Sequence, residues 1–340
     1  MSSLAETLVH NKSSSVHYSI CPSYRDTLIG SSNRDMDKVE YIYRNLDSEN
    51  YTKKLERLLE CRTGAYFVRN FETGQVRVAS QSCHLRFCPI CTKTRTLVIK
   101  SNVTSWLKTS RFPKLLTFTL KHSTLPLSDQ IDRLYDSFKA IRRTSILKKT
   151  CYAGVWFFQV KKSETDFLFH PHIHCLVAGA FIPQKKLAKA WYKITKDSNI
   201  VDVRAVKDAQ TCARHVSRYA ANPCSLKPLT LSDCVTLAKA LESRRLCGTW
   251  GQCRKLKLTS LPKIDTSKWH NIGSWQTVYY AQKDSIIARQ IINAWRTGQP
   301  LDQGVDMRNF FDEIDDKEKT RTRGSPWIDS QTYLDWRYSK

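Results

Sequence analysis

The sequence predicts an α+β fold: an antiparallel sheet with helices mainly on one face, preceded by a small cysteine-bearing module and followed by a mostly helical region. Three observations predict it. Between residues 114 and 221, period-two and period-3.6 apolar patterns run in the order strand, helix, strand, strand, helix, strand, helix. Upstream of that stretch lie spaced cysteines that include a CxxC pair, Cys88-Pro-Ile-Cys91. Beyond Leu226 the patterning is mostly helical to residue 300.

In chain order, residues 1–50 carry few periodic apolar positions and are expected as a loosely ordered arm. Residues 51–108 form the cysteine-rich module, and residues 109–225 the strand-and-helix domain. In that domain Lys114 to Leu120 (KLLTFTL) places Leu116, Phe118 and Leu120 on one face of a strand. Pro126 and Ser128 then introduce a helical stripe of Ile131, Leu134, Tyr135, Phe138 and Ile141. Ala153 to Lys162 and His172 to Ala178 read as two strands around a polar turn. Residues 184–197 read as a basic helix and Ile200 to Val206 as a further strand. Asp208 to Ala221 is a helix that Pro223 must stop, because proline cannot extend it and disfavours helical geometry at Asn222. Residues 226–300 are expected as a helical region, and residues 301–340 as an acid-richer tail.

Charge narrows the partner. Lys and Arg number 55 against 31 Asp and Glu, a net +24 that points to a polyanion, nucleic acid above all. A basic face also suits an anionic membrane surface. No apolar run approaches the roughly 18 residues of a membrane span, however, and the N-terminus has no basic-then-apolar leader pattern. The expectation is a cytoplasmic protein without a membrane partner, whose 12 cysteines are thiols rather than disulfides. Between Cys83 and Lys114 there is no acidic residue, so the block reads as a DNA-tracking surface. Arg86, Lys93, Arg95, Lys161, Lys162, Arg218, Arg244 and Arg245 are the cations expected to contact DNA.

Two segments carry chemistry. In FHPHIHCLV, side chains two apart on a strand share a face, so His172 and His174 project together and can bind one metal. Gln159 on the preceding strand is a candidate oxygen ligand, and His170 is another candidate. Two nitrogens, oxygen ligands and open water positions suit Mg²⁺ or Mn²⁺ acting on phosphate; zinc also fits. On the helix from 208 to 221, Cys212, His215, Val216 and Tyr219 form one stripe, which sets a tyrosine and a histidine one turn apart.

The cysteines make a second centre. Cys61, Cys83, Cys88 and Cys91 offer the four tetrahedral ligands of a structural Zn²⁺, with His84 the rival to Cys61. A redox CxxC is disfavoured because neither flank reads as a thioredoxin βαβ unit. The remaining cysteines have no ligand spacing and read as packing.

The segments FPKLLTFTL, FHPHIHCLV and the helix ending VSRYAANP resemble, in order and spacing, the motifs of HUH endonucleases. They look most like the rolling-circle replication initiators of small bacterial plasmids. QSCHLRFCPICTKTR and LESRRLCGTWGQCR are similar to that family's cysteine-rich segment and to its Arg- and Gly-bearing segment; together the likeness spans residues 55–260. The resemblance implies an HUH-type sheet and a site-specific single-strand endonuclease and strand transferase. In it His172 and His174 would hold a divalent cation at the scissile phosphate. Tyr219 would attack, leaving a 5′-phosphotyrosine link and a free 3′-OH primer. Implied partners are single- and double-stranded origin DNA, host helicase and host polymerase.

The chain departs from the family pattern twice. Gln159 stands where several relatives have Glu. His215 stands where a carboxylate is thought to activate water at termination, so base, metal-ligand and hydrogen-bonding roles are all open to it. Within the class, a rolling-circle transposase or a mobilisation relaxase would use the same chemistry. The former often carries two tyrosines one turn apart, and the latter commonly places its tyrosine ahead of the histidines. A non-catalytic zinc-finger DNA-binding protein is the alternative from outside the class.

Overall fold

The computed structural model describes residues 24–29, 33–46, 49–260 and 265–302. Three helices lead: α1 (Tyr24–Ile29), α2 (Asn33–Arg44) and α3 (Glu49–Leu59). A hairpin of β1 (Ala65–Asn70) and β2 (Val76–Ser80) follows, then the long α4 (Pro89–Thr109). Next come β3 (Lys114–Thr119), α5 (Leu127–Arg143), α6 (Ser145–Thr150), β4 (Cys151–Lys162) and β5 (Phe169–Gly179). The chain continues with α7 (Gln184–Thr195), β6 (Val201–Ala205), α8 (Ala209–Ala221), α9 (Leu231–Ala240) and β7 (Cys247–Gly251), then β8 (Trp269–Ser274), α10 (Trp275–Ala281) and α11 (Ile286–Thr297).

The class is α+β, as expected. The main sheet has the order β6-β3-β5-β4-β7 and every pairing in it is antiparallel. Strand alternation divides its two faces by chemistry. Leu116, Phe118, Phe158, Val160, Ile173, Cys175 and Val177 point to one face, which carries most of the helical cover through α2, α5, α7 and α9. Val155, Phe157, Leu176 and Ala178 point to the other, where Ile99, Val103 and Leu107 of α4 and Ala213 and Val216 of α8 close over them. That second apolar patch covers only part of its face. The rest of the same face carries Thr117, Thr119, Gln159, His172 and His174, because each lies an even number of residues from a packed neighbour on its strand.

Secondary structure departs from the expected pattern in two regions. Tyr24–Ile29 and Asn33–Arg44, within the expected loosely ordered arm, form α1 and α2; residues 1–23, 30–32 and 47–48 of the arm lie outside the described residues. Met36, Val39, Tyr43 and Leu46 recur at helical spacing and are buried in the main core. Lys38 Nζ then donates to the carbonyls of Leu226, Lys227 and Leu229 at 2.7–2.8 Å. The stripe was missed because polar residues separate its members, so few apolar positions are adjacent.

The region 226–300, expected as mostly helical, also supplies two strands. β7 completes the main sheet beside β4, while β8 pairs with β1 to make a second sheet, β2-β1-β8, packed against α10 and α11. β7 is short and contains two glycines (CGTWG), which gives it weak strand propensity. The glycines serve packing: a Cβ at Gly248 would lie 2.6 Å from the Trp156 indole nitrogen, and Gly154 leaves the matching space for Trp250. The cysteine module is continuous with the main core, since Cys61, Cys83, Cys88 and Cys91 are buried in one cluster with Leu58, Ile90 and the sheet residues. Of the tail 301–340, only Leu301 and Asp302 are described.

Candidate active site and metal centres

The histidine strand β5 is central, with β3 on one side and β4 on the other, and the register decides what faces the imidazoles. His172 lies opposite Thr119 and Gln159; His174 lies opposite Thr117 and Phe157. Thr119 Oγ1 is 3.1 Å from His172 Nδ1, and Thr117 Oγ1 is 3.1 Å from His174 Nδ1. These hydroxyls orient both rings so that Nε2 faces the open part of the sheet, the outer-shell arrangement common to ligating histidines. Sequence reasoning passed over both threonines. Their signal was present: in KLLTFTL the polar β-branched residues alternate against Leu116 and Phe118.

Both imidazoles are held neutral near pH 7. Burial, with Lys161, His170 and His122 adding repulsion, pushes His172 down to about 4. Burial, with His172, His215 and Lys161, pushes His174 down to about 3. With Nδ1 beside a threonine hydroxyl, Nε2 is the ring nitrogen left for a metal. Gln159 Oε1 lies 2.8 Å from His174 Nε2 and supplies an oxygen at the same point. This N₂O donor set fits a hard or borderline divalent cation. His170 is not part of it: its ring lies 3.6 Å from that of His122, and its Nε2 is 3.4 Å from Asp166.

Helix α8 brings the tyrosine. Asp208 caps it by accepting from Thr211 N–H, Asn222 ends it, and Pro223 prevents its extension. Ala213 and Val216 are buried against the sheet, which aims His215 and Tyr219 at the histidine strand. The Tyr219 ring stacks on His174 with centroids 4.6 Å apart and planes at 20°. Its hydroxyl lies within hydrogen-bond distance of His215 Nε2, at 3.0 Å, and also meets Gln159. Burial raises the Tyr219 pKa above its ordinary value, opposed by Arg218 and by the Gln159 contact. Burial first, then Arg218, Lys161 and Arg204, lower that of His215, which favours the neutral imidazole. His215 Nε2 is engaged by the tyrosine, and its ring is 6.2 Å from that of His174.

A cleft of about 500 Å³ opens over Tyr219, bordered by Gln159, Arg218, Asn222 and, from the start of α4, by Pro89, Thr92, Lys93 and Thr96. The CxxC turn that begins α4 thus also borders the tyrosine cleft. The expected DNA-contacting cations divide. Lys93, Lys161, Arg218 and Arg245 are exposed, and Arg95 spends one donor on the His84 carbonyl at 3.1 Å. Arg86 is half-buried and donates to the carbonyls of Leu241 and Arg244. Arg244 forms a bidentate pair with Asp132, and Lys162 pairs with Asp233 at 2.6 Å with both side chains 16% exposed. These last three spend their donors on partners within the fold. The sequence showed their charge but not their partners, which are 71–158 residues distant.

The cysteine centre is compact. Cys61, Cys83, Cys88 and Cys91 are buried with their sulfurs all within 4.8 Å of one another. Three of the separations are 3.6, 3.7 and 3.8 Å. A tetrahedral zinc with Zn–S near 2.3 Å sets its sulfurs about 3.8 Å apart, so the group fits zinc. His84, the rival to Cys61, is exposed with φ +55° and lies outside the cluster.

Comparison with known proteins follows the same lines. A family model described as "Replication protein" matches residues 75–301. Relatives named "Protein rep" include one from Bacillus amyloliquefaciens, 25% identical over 184 residues, covering 49% of this chain and 54% of its own length. One from a Bacillus species is 24% identical, covering 49% of this chain and 60% of its own. A third, from Streptococcus pneumoniae serotype 2, is 25% identical, covering 45% and 54%. The chain therefore spans little more than half the length of the curated relatives it matches. No solved structure matches it.

Proposed function

The chain belongs to the replication-protein family whose model it matches, and from that premise we propose that it is a plasmid rolling-circle replication initiator, an HUH-type endonuclease that nicks one strand at an origin. The carrying observation is the Tyr219 hydroxyl, hydrogen-bonded to His215 and set against the ring of His174 in an open cleft. In the proposed reaction Tyr219 Oη attacks the scissile phosphorus and passes its proton to His215 Nε2. The bond to the 3′ oxygen breaks, and that oxygen takes up a proton to become the primer 3′-OH. One phosphodiester is exchanged for another, so the 5′-phosphotyrosine link conserves the energy of the broken bond and the step is reversible.

Mg²⁺ or Mn²⁺ held by His172, His174 and Gln159 would withdraw charge from the scissile phosphate. Thr117 and Thr119 keep the two imidazoles in register for that role. Lys93, Arg218 and the N-terminal end of α4 give the cleft a positive field for the strand. The cysteine centre, with zinc bound, fastens the start of α4 and so fixes that wall. The protein would act in the cytoplasm on single- and double-stranded origin DNA, alongside host helicase and polymerase. Among the described residues no helix is long and apolar enough to cross a membrane.

The test is incubation with supercoiled DNA of the parent replicon and Mn²⁺, followed by a search for a nicked circle and a covalent adduct. The Tyr219→Phe variant should bind that DNA nearly as well as wild type but form no adduct. An adduct from the Phe variant would overturn the assignment of the nucleophile.

A further inference from the structure

His122, Asp166 and His170 form a group that the proposed reaction does not use. His122 follows β3, Asp166 lies in the turn between β4 and β5, and His170 is near the start of β5. One ligand atom from each lies within 4.8 Å of the other two. His122 Nδ1 is 2.8 Å from one Asp166 oxygen, and His170 Nε2 is 3.4 Å from the other. The two imidazole centroids are 3.6 Å apart.

We propose that His122, Asp166 and His170 bind a zinc-class divalent cation, at a site separate from both the cysteine centre and the His172–His174 pair. Two imidazole nitrogens and one carboxylate oxygen are a borderline donor set, which favours Zn²⁺ over Mg²⁺, a cation that prefers oxygen throughout. Three protein ligands leave a fourth tetrahedral position for water. With metal–ligand bonds near 2.0–2.1 Å, tetrahedral donors stand about 3.3 Å apart. One ligand atom from each of the three residues lies within 4.8 Å of the others, so shifts of about 1.5 Å or less, within reach of the exposed His122 and Asp166 side chains, bring them to that spacing.

Charge favours the same occupant. The Asp166 carboxylate faces both imidazoles, whose ring centroids are 3.6 Å apart. A dication facing both nitrogens and the carboxylate is attracted by the carboxylate charge and takes up both nitrogen lone pairs. The ligands also differ in mobility as a site of this kind requires. His170 is anchored, with its side chain 9% exposed, while Asp166 at 33% and His122 at 62% can close on an ion arriving from solvent. Once bound, the cation would tie the segment after β3 to the β4–β5 turn and to His170, two residues from His172.

The experiment uses the full chain carrying His172→Ala and His174→Ala, so that the proposed catalytic pair contributes nothing. Zn²⁺ is added and unbound metal removed. The gain in zinc per chain is then measured by elemental analysis, with affinity from calorimetric titration. One further equivalent is expected. Adding His122→Ala, or separately Asp166→Asn, should remove it or weaken it at least 100-fold. Both positions are surface-facing, and the zinc already carried before addition reports that each variant is folded. The inference is overturned if the parent gains no zinc, or if the gain persists at unchanged affinity after either substitution. Nicking is not read, so failure of this site and failure of the proposed reaction are separate results.

Discussion

Replacing His215 with alanine tests the proposed chemistry most sharply. The Tyr219 hydroxyl lies 3.0 Å from His215 Nε2, and burial holds the phenol above its ordinary pKa. A phenol with pKa about 10 is ionised in about one molecule per thousand at pH 7, and burial makes the phenolate rarer still. A positioned base that removes the proton as the P–O bond forms avoids that scarcity. Its loss should slow nicking at pH 7 by about 10²–10⁴, or about 2.7–5.4 kcal/mol of transition-state stabilisation.

The pH profile separates this role from mere positioning. Since the His215 pKa is lowered from 6.5 by burial and nearby cations, the wild-type base is already free at neutrality. Its rate should be flat above pH 6.5 and fall only on the acid side. The Ala variant depends on pre-formed phenolate, so its rate should climb nearly tenfold per pH unit from 7 to 9. Single-turnover adduct formation on a single-stranded origin oligonucleotide with saturating Mn²⁺ measures both. Nicking within twofold of wild type at pH 7, or a slow but pH-independent rate, would refute the base assignment.

Four further outcomes are expected. Cys88→Ser should release the metal of the cysteine centre and, because structural zinc contributes roughly 10–16 kcal/mol in small modules, give aggregated protein; a soluble variant with unchanged zinc by elemental analysis would count against a four-cysteine site. Gln159→Glu places a carboxylate at the oxygen now 2.8 Å from His174 Nε2 and should lower the Mn²⁺ needed for half-maximal nicking by about tenfold, since a hard dication prefers an anionic oxygen; a Mn²⁺ titration reads it, and no change would remove Gln159 from the ligand set. With Lys93, Arg95, Lys161, Arg218 and Arg245 as the cations left for DNA, the slope of log K against log salt on single strands should be about −3.5. Arg86→Ala should lower thermal stability without changing that slope.

Much of the site was legible because it rests on local periodicity. The i, i+2 spacing of His172 and His174 sets both on one face of any strand they form. The i, i+4 spacing of His215 and Tyr219 does the same on a helix, and Pro223 limits where that helix can end. The CxxC pair and the two earlier cysteines could be grouped from the needs of a tetrahedral ion. Charge and chemistry at this range depend on residues a few positions apart, so sequence alone determines them.

Other features arise from pairings between distant segments, and no local pattern carries those. Thr117 and Thr119 reach the histidines only because β3 pairs with β5 in one particular register. His122 meets His170 and Asp166 only when that register is combined with the turn after β4. Arg86, Arg244 and Lys162 were read as DNA contacts from charge alone, and their commitment to Leu241, Asp132 and Asp233 required the closed core. The residues after 226 looked like one helical region, yet β7 and β8 join sheets begun far upstream. A short glycine-bearing segment becomes a strand when a neighbouring edge supplies its hydrogen bonds. Which edge lies open to it is decided by the packing of the whole chain.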